Sequence, residues 1–232
     1  MCLTKFYASS IGKKQIVAVT GLCLILYVVA HLAGNLLIYI GPDMFNGYAK
    51  FLASLRPGLY IVEALLFVIF IAHFYVTGVL VMENRKARGG PSYTDYRNVG
   101  NRSVATQLMP YTGTILLIFV MWHIYDFTLI DHEGPRSILR DGLSHGLYGV
   151  VYNAFCDPLH GAFYIVAMAS LGLHLSHGIK SMFQTFGVET EQPRGSSIGT
   201  ISNLIGIIIA VSYSTIPIYV FLNNSKFYHV KF

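Results

Sequence analysis

The sequence predicts an all-α membrane protein with five transmembrane helices. Three observations carry that prediction. Only 12% of the 232 residues are charged while 54% are hydrophobic, about half the charge of an ordinary soluble domain. Mean hydropathy is +0.55. Five separate apolar runs are each about 20 residues or longer, enough to cross a hydrocarbon core of ~30 Å. Such a chain is neither a soluble enzyme nor a disordered regulator. Its net charge of +5 is better read as loop lysines and arginines that set membrane orientation than as a nucleic-acid surface.

The elements follow in order. Residues 1–15 form an amphipathic arm. Helices are expected near 16–40, 59–82, 108–130, 158–180 and 198–222, with a tail at 223–232. Gly41-Pro42-Asp43 stops the first helix and Arg56-Pro57-Gly58 precedes the second; Gly89-Gly90-Pro91, Gly134-Pro135 and Pro193-Arg194-Gly195 mark the later breaks. A membrane β-barrel is disfavoured because the runs lack period-2 alternation. With the N-terminus inside, the inner segments hold ten Lys+Arg and the outer ones six. That bias predicts a multi-pass protein of the cytoplasmic membrane with its N-terminus inside and its C-terminus outside. Cys2, Cys23 and Cys156 form neither a CxxC nor a CxxCH motif, so no zinc ribbon or covalent c-type haem is expected.

Histidine inside a span is costly and points to function. His31, His73, His123 and His174 fall in four different helices, each 14–16 residues from its expected start, or ~21–24 Å along at 1.5 Å per residue. Adjacent helices run antiparallel, so the shared depth becomes two levels. His31 and His123 lie near the outer face, His73 and His174 near the inner face, ~14 Å apart. Two pairs, each bridging two helices, suit two bis-histidine haems stacked across a bundle of the first four helices. Such haems have no open position and carry electrons. Gly21 precedes His31 by ten residues and Gly113 precedes His123 by ten, a weak repeat in which helices 1–2 and 3–4 are copies of one hairpin.

Other histidines compete. His160 lies 14 residues before His174, a spacing that would need a matching second helix; none is present, and His160 is placed at the interface. His177 shares roughly the face of His174 and is its rival. His132, His145 and His229 are assigned to solvated segments. A haem-free transporter relaying protons through histidines is the competing class, although helices 1 and 4 carry no accompanying acid. An anchor for another membrane dehydrogenase is a further alternative.

With these residues placed, the chain resembles the single-subunit, di-haem cytochrome b anchors of succinate dehydrogenases and menaquinol:fumarate reductases. The likeness rests on AHLAGN around His31, FIAHFYVTG around His73, MWHIYDF around His123 and HLSHGIKSMFQTFG around His174. It implies His31 with His123 as outer-haem ligands and His73 with His174 as inner-haem ligands, all four binding haem iron. The family ligand in the fourth motif is followed by three residues and a glycine, which selects His174 over His177. Some relatives carry a glutamate two residues before that ligand, where this chain has Gly172, which argues against a glutamate proton pathway there.

The resemblance further implies two haem b groups and a quinone, menaquinone. Flavoprotein and iron–sulfur partner subunits are expected on the cytoplasmic side, where they interconvert succinate and fumarate. The loops at 85–102 and 187–197 are their expected docking surfaces. Quinol oxidation releases protons and benefits from an ionisable acceptor near water. Glu63, four residues into the second helix, and Asp126, one turn beyond His123, are the candidates at the outer end. The competing role for each is an interfacial carboxylate paired with Arg56 or Arg136.

Overall fold

The computed structural model describes residues 3–87, 104–139, 141–188 and 197–223. A short helix α1 (Leu3–Ala8) leads into α2 (Ser10–Asn35), which a 3₁₀ turn extends through Leu36–Tyr39. Then come α3 (Pro42–Ser54), α4 (Gly58–Ala87), α5 (Val104–Phe127), a 3₁₀ turn at Pro135–Ser137, α6 (Gly146–Cys156), α7 (Pro158–Thr185) and α8 (Ser197–Asn223). Among the described residues there is no named strand, only an isolated bridge between Ile138 and Ser144. Five helices, α2, α4, α5, α7 and α8, are long and apolar enough to cross a membrane.

Several boundaries differ from the sequence expectation, for local reasons. The first spanning helix begins at Ser10, inside the expected arm, because the Ser9 hydroxyl caps it by accepting from the Gly12 N–H at 3.0 Å. The second runs five residues past its expected end, carrying Glu83, Arg85 and Lys86. The third stops at Phe127, three residues early. The basic residues Arg88, Arg97, Arg102, Arg140 and Arg194, most of the 187–197 segment and the tail beyond Asn223 lie outside the described residues.

Two helices in the connections were not read from the sequence. α3 starts with Pro42 at its first turn and Asp43 beside it, a residue pair suited to a helix N-terminus. α6 is the more deeply buried of the two. Asn46 joins them, donating to the His145 carbonyl at 2.8 Å and accepting from the Tyr148 N–H at 3.0 Å. Together they cover one end of the bundle. There Ile38, Phe45, Leu139, Tyr148, Tyr152, Phe155 and Cys156 form a buried cluster with Tyr164, Ile216 and Val220 of α7 and α8.

Among the described residues, no comparable buried cluster covers the opposite, open end. It holds α1, the start of α2 and the end of α4, tied by an ion pair between Lys13 and Glu83.

Packing across the bundle is uneven. α7 and α8 meet backbone to backbone: a Cβ at Gly172 would stand 2.8 Å from the Ala210 Cβ, and one at Gly206 would stand 2.5 Å from the Gly172 carbonyl oxygen. Small residues allow this approach between membrane helices. A glutamate at position 172 would collide with α8, which gives the Gly172 departure a packing reason. α4, in contrast, packs mainly against α2 and has no buried residue. α5 packs on α7, and α7 on α2.

Candidate functional site

The four span histidines sort into two groups. At the capped end, the rings of His31 (α2) and His123 (α5) face one another with centroids 5.7 Å apart and planes at 89°. Each stands on an aromatic residue one turn earlier on its own helix, as i,i+4 neighbours do. Tyr27 stacks on His31 at 5.4 Å and Phe119 on His123 at 5.5 Å. Tyr213 of α8 closes the His31 side at 6.3 Å, and Phe127 and Tyr164 close the His123 side at 5.4 and 6.1 Å. The His123 Nδ1 is buried without a hydrogen-bond partner.

At the other level, His73 (α4) and His174 (α7) lie near enough to interact electrostatically. Each ring rests on the helix preceding its own among the spans. The Nδ1 of His73 is 3.0 Å from the Thr20 hydroxyl of α2, and the Nδ1 of His174 is 3.3 Å from the Thr112 hydroxyl of α5. The neighbouring glycines admit the rings. A Cβ at Gly21 would stand 3.3 Å from the His73 Cε1, and one at Gly113 would stand 3.6 Å from the His174 Cε1. The repeat of glycine and histidine at ten-residue spacing therefore has a physical content. On α2 and on α5, the histidine serves the capped level and the Thr-Gly pair supports the histidine of the other level.

The two carboxylates singled out in the sequence both lie at the capped end, in different settings. Glu63 is 48% exposed and 3.4 Å from Arg56, whose guanidinium also covers the Tyr60 ring at 4.4 Å. It acts electrostatically on Tyr27, the residue stacked on His31. The pairing with Arg56 removes one ground for singling it out, an unpaired carboxylate inside a span. Asp126 is only 5% exposed and accepts from the Tyr164 hydroxyl at 2.8 Å. The His160 Nε2 lies 3.1 Å from the same oxygen, a charge-pair distance without hydrogen-bond alignment. His160 is therefore not a free interfacial residue: it stacks on Tyr164 at 5.0 Å and flanks Asp126. Spacing along one chain gave no sign of this three-residue group, because its members sit on two helices 34 to 38 residues apart.

Two loop histidines expected to be solvated have partners. The His145 Nε2 is 2.7 Å from Asp141, and the His132 Nε2 is 2.9 Å from the Phe127 carbonyl. His229 lies outside the described residues. Backbone donation from Leu143 and then the His145 ring hold the Asp141 carboxyl below its ordinary range.

Among the described residues no group of three or more His, Cys, Asp or Glu side chains could hold a metal ion. A bis-histidine cofactor asks only for two ligands. The arrangement can therefore supply neutral imidazole pairs at two levels of one apolar bundle, with carboxylates beside one level.

No family model matches the chain, and no solved structure matches it. The chain is 32% identical over 190 residues to the succinate dehydrogenase cytochrome b558 subunit of Bacillus subtilis (strain 168), covering 81% of this chain and 84% of the relative. Likeness of that extent, together with five spanning helices, shows that the chain belongs to the cytochrome b membrane-anchor family of succinate dehydrogenases and fumarate reductases.

Proposed function

We propose that this chain anchors a flavoprotein and an iron–sulfur subunit to the membrane and conducts electrons between them and menaquinone through two haem b groups. The observation that carries the reading is the sorting of four span histidines into two levels, one pair on α2 and α5 and the other on α4 and α7. The residues fit the cofactor. The buried, unpartnered His123 Nδ1, the loosely packed α4 and the glycine openings at Gly21 and Gly113 are features that a purely structural bundle would not need. His31 and His123 would hold the outer haem, His73 and His174 the inner one. Bound haem supplies reversible one-electron carriage with no open iron position.

The chain's own residues then divide the remaining work. The capped end is the outer side, and the open end, where α4 finishes with Arg85 and Lys86, faces the partner subunits inside. The aromatic rings around His31 and His123 exclude water from that pair. Glu63, half exposed beside Arg56 and Tyr27, takes a proton from the quinol hydroxyl and passes it to the outer water. Asp126, held by Tyr164 with His160 alongside, forms the inner wall of the same region and keeps a carboxylate near His123. The 32% identical relative supports the partner and cofactor class.

Purification of the intact complex tests this reading. It should yield the chain with a flavoprotein and an iron–sulfur protein, a reduced b-type spectrum, and two haems per anchor. A haem-free chain would favour the histidine-relay transporter. Haem with partners of another class, such as a hydrogenase or formate dehydrogenase, would move the anchor to a different enzyme.

A further inference from the structure

Span threonines usually return their hydroxyl proton to a carbonyl three or four residues earlier and ask for nothing else. Thr114 does so with Pro110, and Thr77 with His73. Thr20 and Thr112 do the same and something more. The Thr20 hydroxyl donates to the Ile16 carbonyl at 2.7 Å, and the Thr112 hydroxyl to the carbonyls of Leu108 and Met109 at 3.2 and 3.1 Å. With the proton committed to the backbone, each oxygen presents a lone pair. In both cases a histidine Nδ1 stands against it, at 3.0 Å for His73 and 3.3 Å for His174. An oxygen that has already given its proton can only accept from the ring, so this geometry suits an Nδ1–H on each histidine.

The positions repeat. Thr20 precedes His31 by eleven residues and Thr112 precedes His123 by eleven. Eleven residues are close to three helical turns, so each threonine shares a face with its helix's own histidine, ~16 Å away along the axis. Each of α2 and α5 thus offers an imidazole to one level and a hydroxyl to the other. No comparable partner serves the buried His123 Nδ1.

We infer that Thr20 and Thr112 are positioning residues for the inner haem: their hydroxyl oxygens hold His73 and His174 as Nδ1–H tautomers, leave each Nε2 lone pair for the iron, and make both ligands stronger electron donors. This rests on the assignment of His73 and His174 as ligands. An N–H of a ligating histidine that is hydrogen-bonded raises the ligand's donor strength and fixes its ring. Second-shell hydrogen bonding is one of the levers on haem potential, and it acts here to favour the ferric state at the inner level.

The test uses the whole complex in membranes, with Thr20→Val, Thr112→Val, the double Val variant and Thr112→Ser. Redox titration of the b-haem absorption and the low-spin ferric resonance spectrum are the readouts. His174→Ala identifies the inner component as the one it removes. The double Val variant should keep two haems and shift only the inner potential upward, by about tenfold in its reduction equilibrium, ~59 mV for one electron. The outer potential should stay in place and Thr112→Ser should restore the wild-type value. If Thr112→Val sheds the inner haem altogether, retention in Thr112→Ser still assigns the effect to the hydroxyl. Equal shifts at both haems, no shift in the double variant, or a Ser variant that behaves like Val would overturn the inference and leave the ligands standing. Two intact haems in His174→Ala would instead remove the ligand assignment beneath it.

Discussion

The two halves of this bundle use the same helices to build different surroundings for a histidine pair. At the capped half, His31 and His123 sit among Tyr27, Phe119, Phe127, Tyr164 and Tyr213, with α3 and α6 packed over that end. Aromatic faces supply bulk and exclude water but offer the imidazoles no strong acceptor. At the open half, His73 and His174 rest on hydroxyls and glycines. Depth alone therefore does not define such a site. Equal spacing along each helix places four similar histidines, and the residues one helix away give the two pairs unlike chemistry.

The largest effects are expected from Glu63 and Asp126, the two carboxylates at the capped end. Glu63→Gln should leave both haems in place and lower quinol-dependent turnover by about a hundredfold, the scale of losing a general base. Succinate or fumarate chemistry with artificial dyes should be unchanged. Asp126→Asn should cost less, because an amide oxygen can still accept from Tyr164; steady-state assays with quinol and with dye separate the two effects. Full quinol activity in both variants would shift the quinone to the open half. There a groove is lined by Phe6, Gln15, Ile16, Val19, Phe186 and Thr20, whose hydroxyl stands 3.0 Å from the His73 ring.

A smaller effect is expected in the segment that closes the cap. Asp141 accepts from the Leu143 N–H and faces His145, and both hold its carboxyl below the ordinary value. A carboxylate stabilised in the fold contributes above its unfolded value, about 3.9, and that contribution is lost as the pH falls through its lower folded value. Hydrogen exchange around residues 141–149, corrected for the intrinsic pH dependence of exchange, should therefore quicken on acidification below about pH 4. Asp141→Asn should remove that dependence. The carboxyl is exposed, so the effect is local.

Much of this was legible in the sequence, and for a physical reason. An apolar run of membrane length has few alternative readings, and a histidine within one stands out because burying it in lipid is expensive. His31, His73, His123 and His174 announced themselves on that ground. Thr20 and Thr112 did not, because a threonine in a span satisfies itself on its own backbone and carries no penalty to notice. The glycine half of the repeat was visible, while its meaning was not: Gly21 and Gly113 matter to the histidines on α4 and α7, not to those on their own helices. The Asp126, Tyr164 and His160 group was hidden in the same way, since it forms only when α5 and α7 meet. The helices α3 and α6 were missed because they are shorter than a span and lie between strong punctuation marks, although Pro42-Asp43 was a readable start.

The pairing of histidines across helices, α2 with α5 and α4 with α7, is tested most directly by ligand-by-ligand spectroscopy of the purified complex. His31→Ala and His123→Ala should each lack the same haem component, with the other still six-coordinate and low-spin. His73→Ala and His174→Ala should each lack the complementary one. Loss of a single component by both His31→Ala and His73→Ala would contradict the pairing, and so would a His174→Ala protein that keeps both haems while His177→Ala loses one.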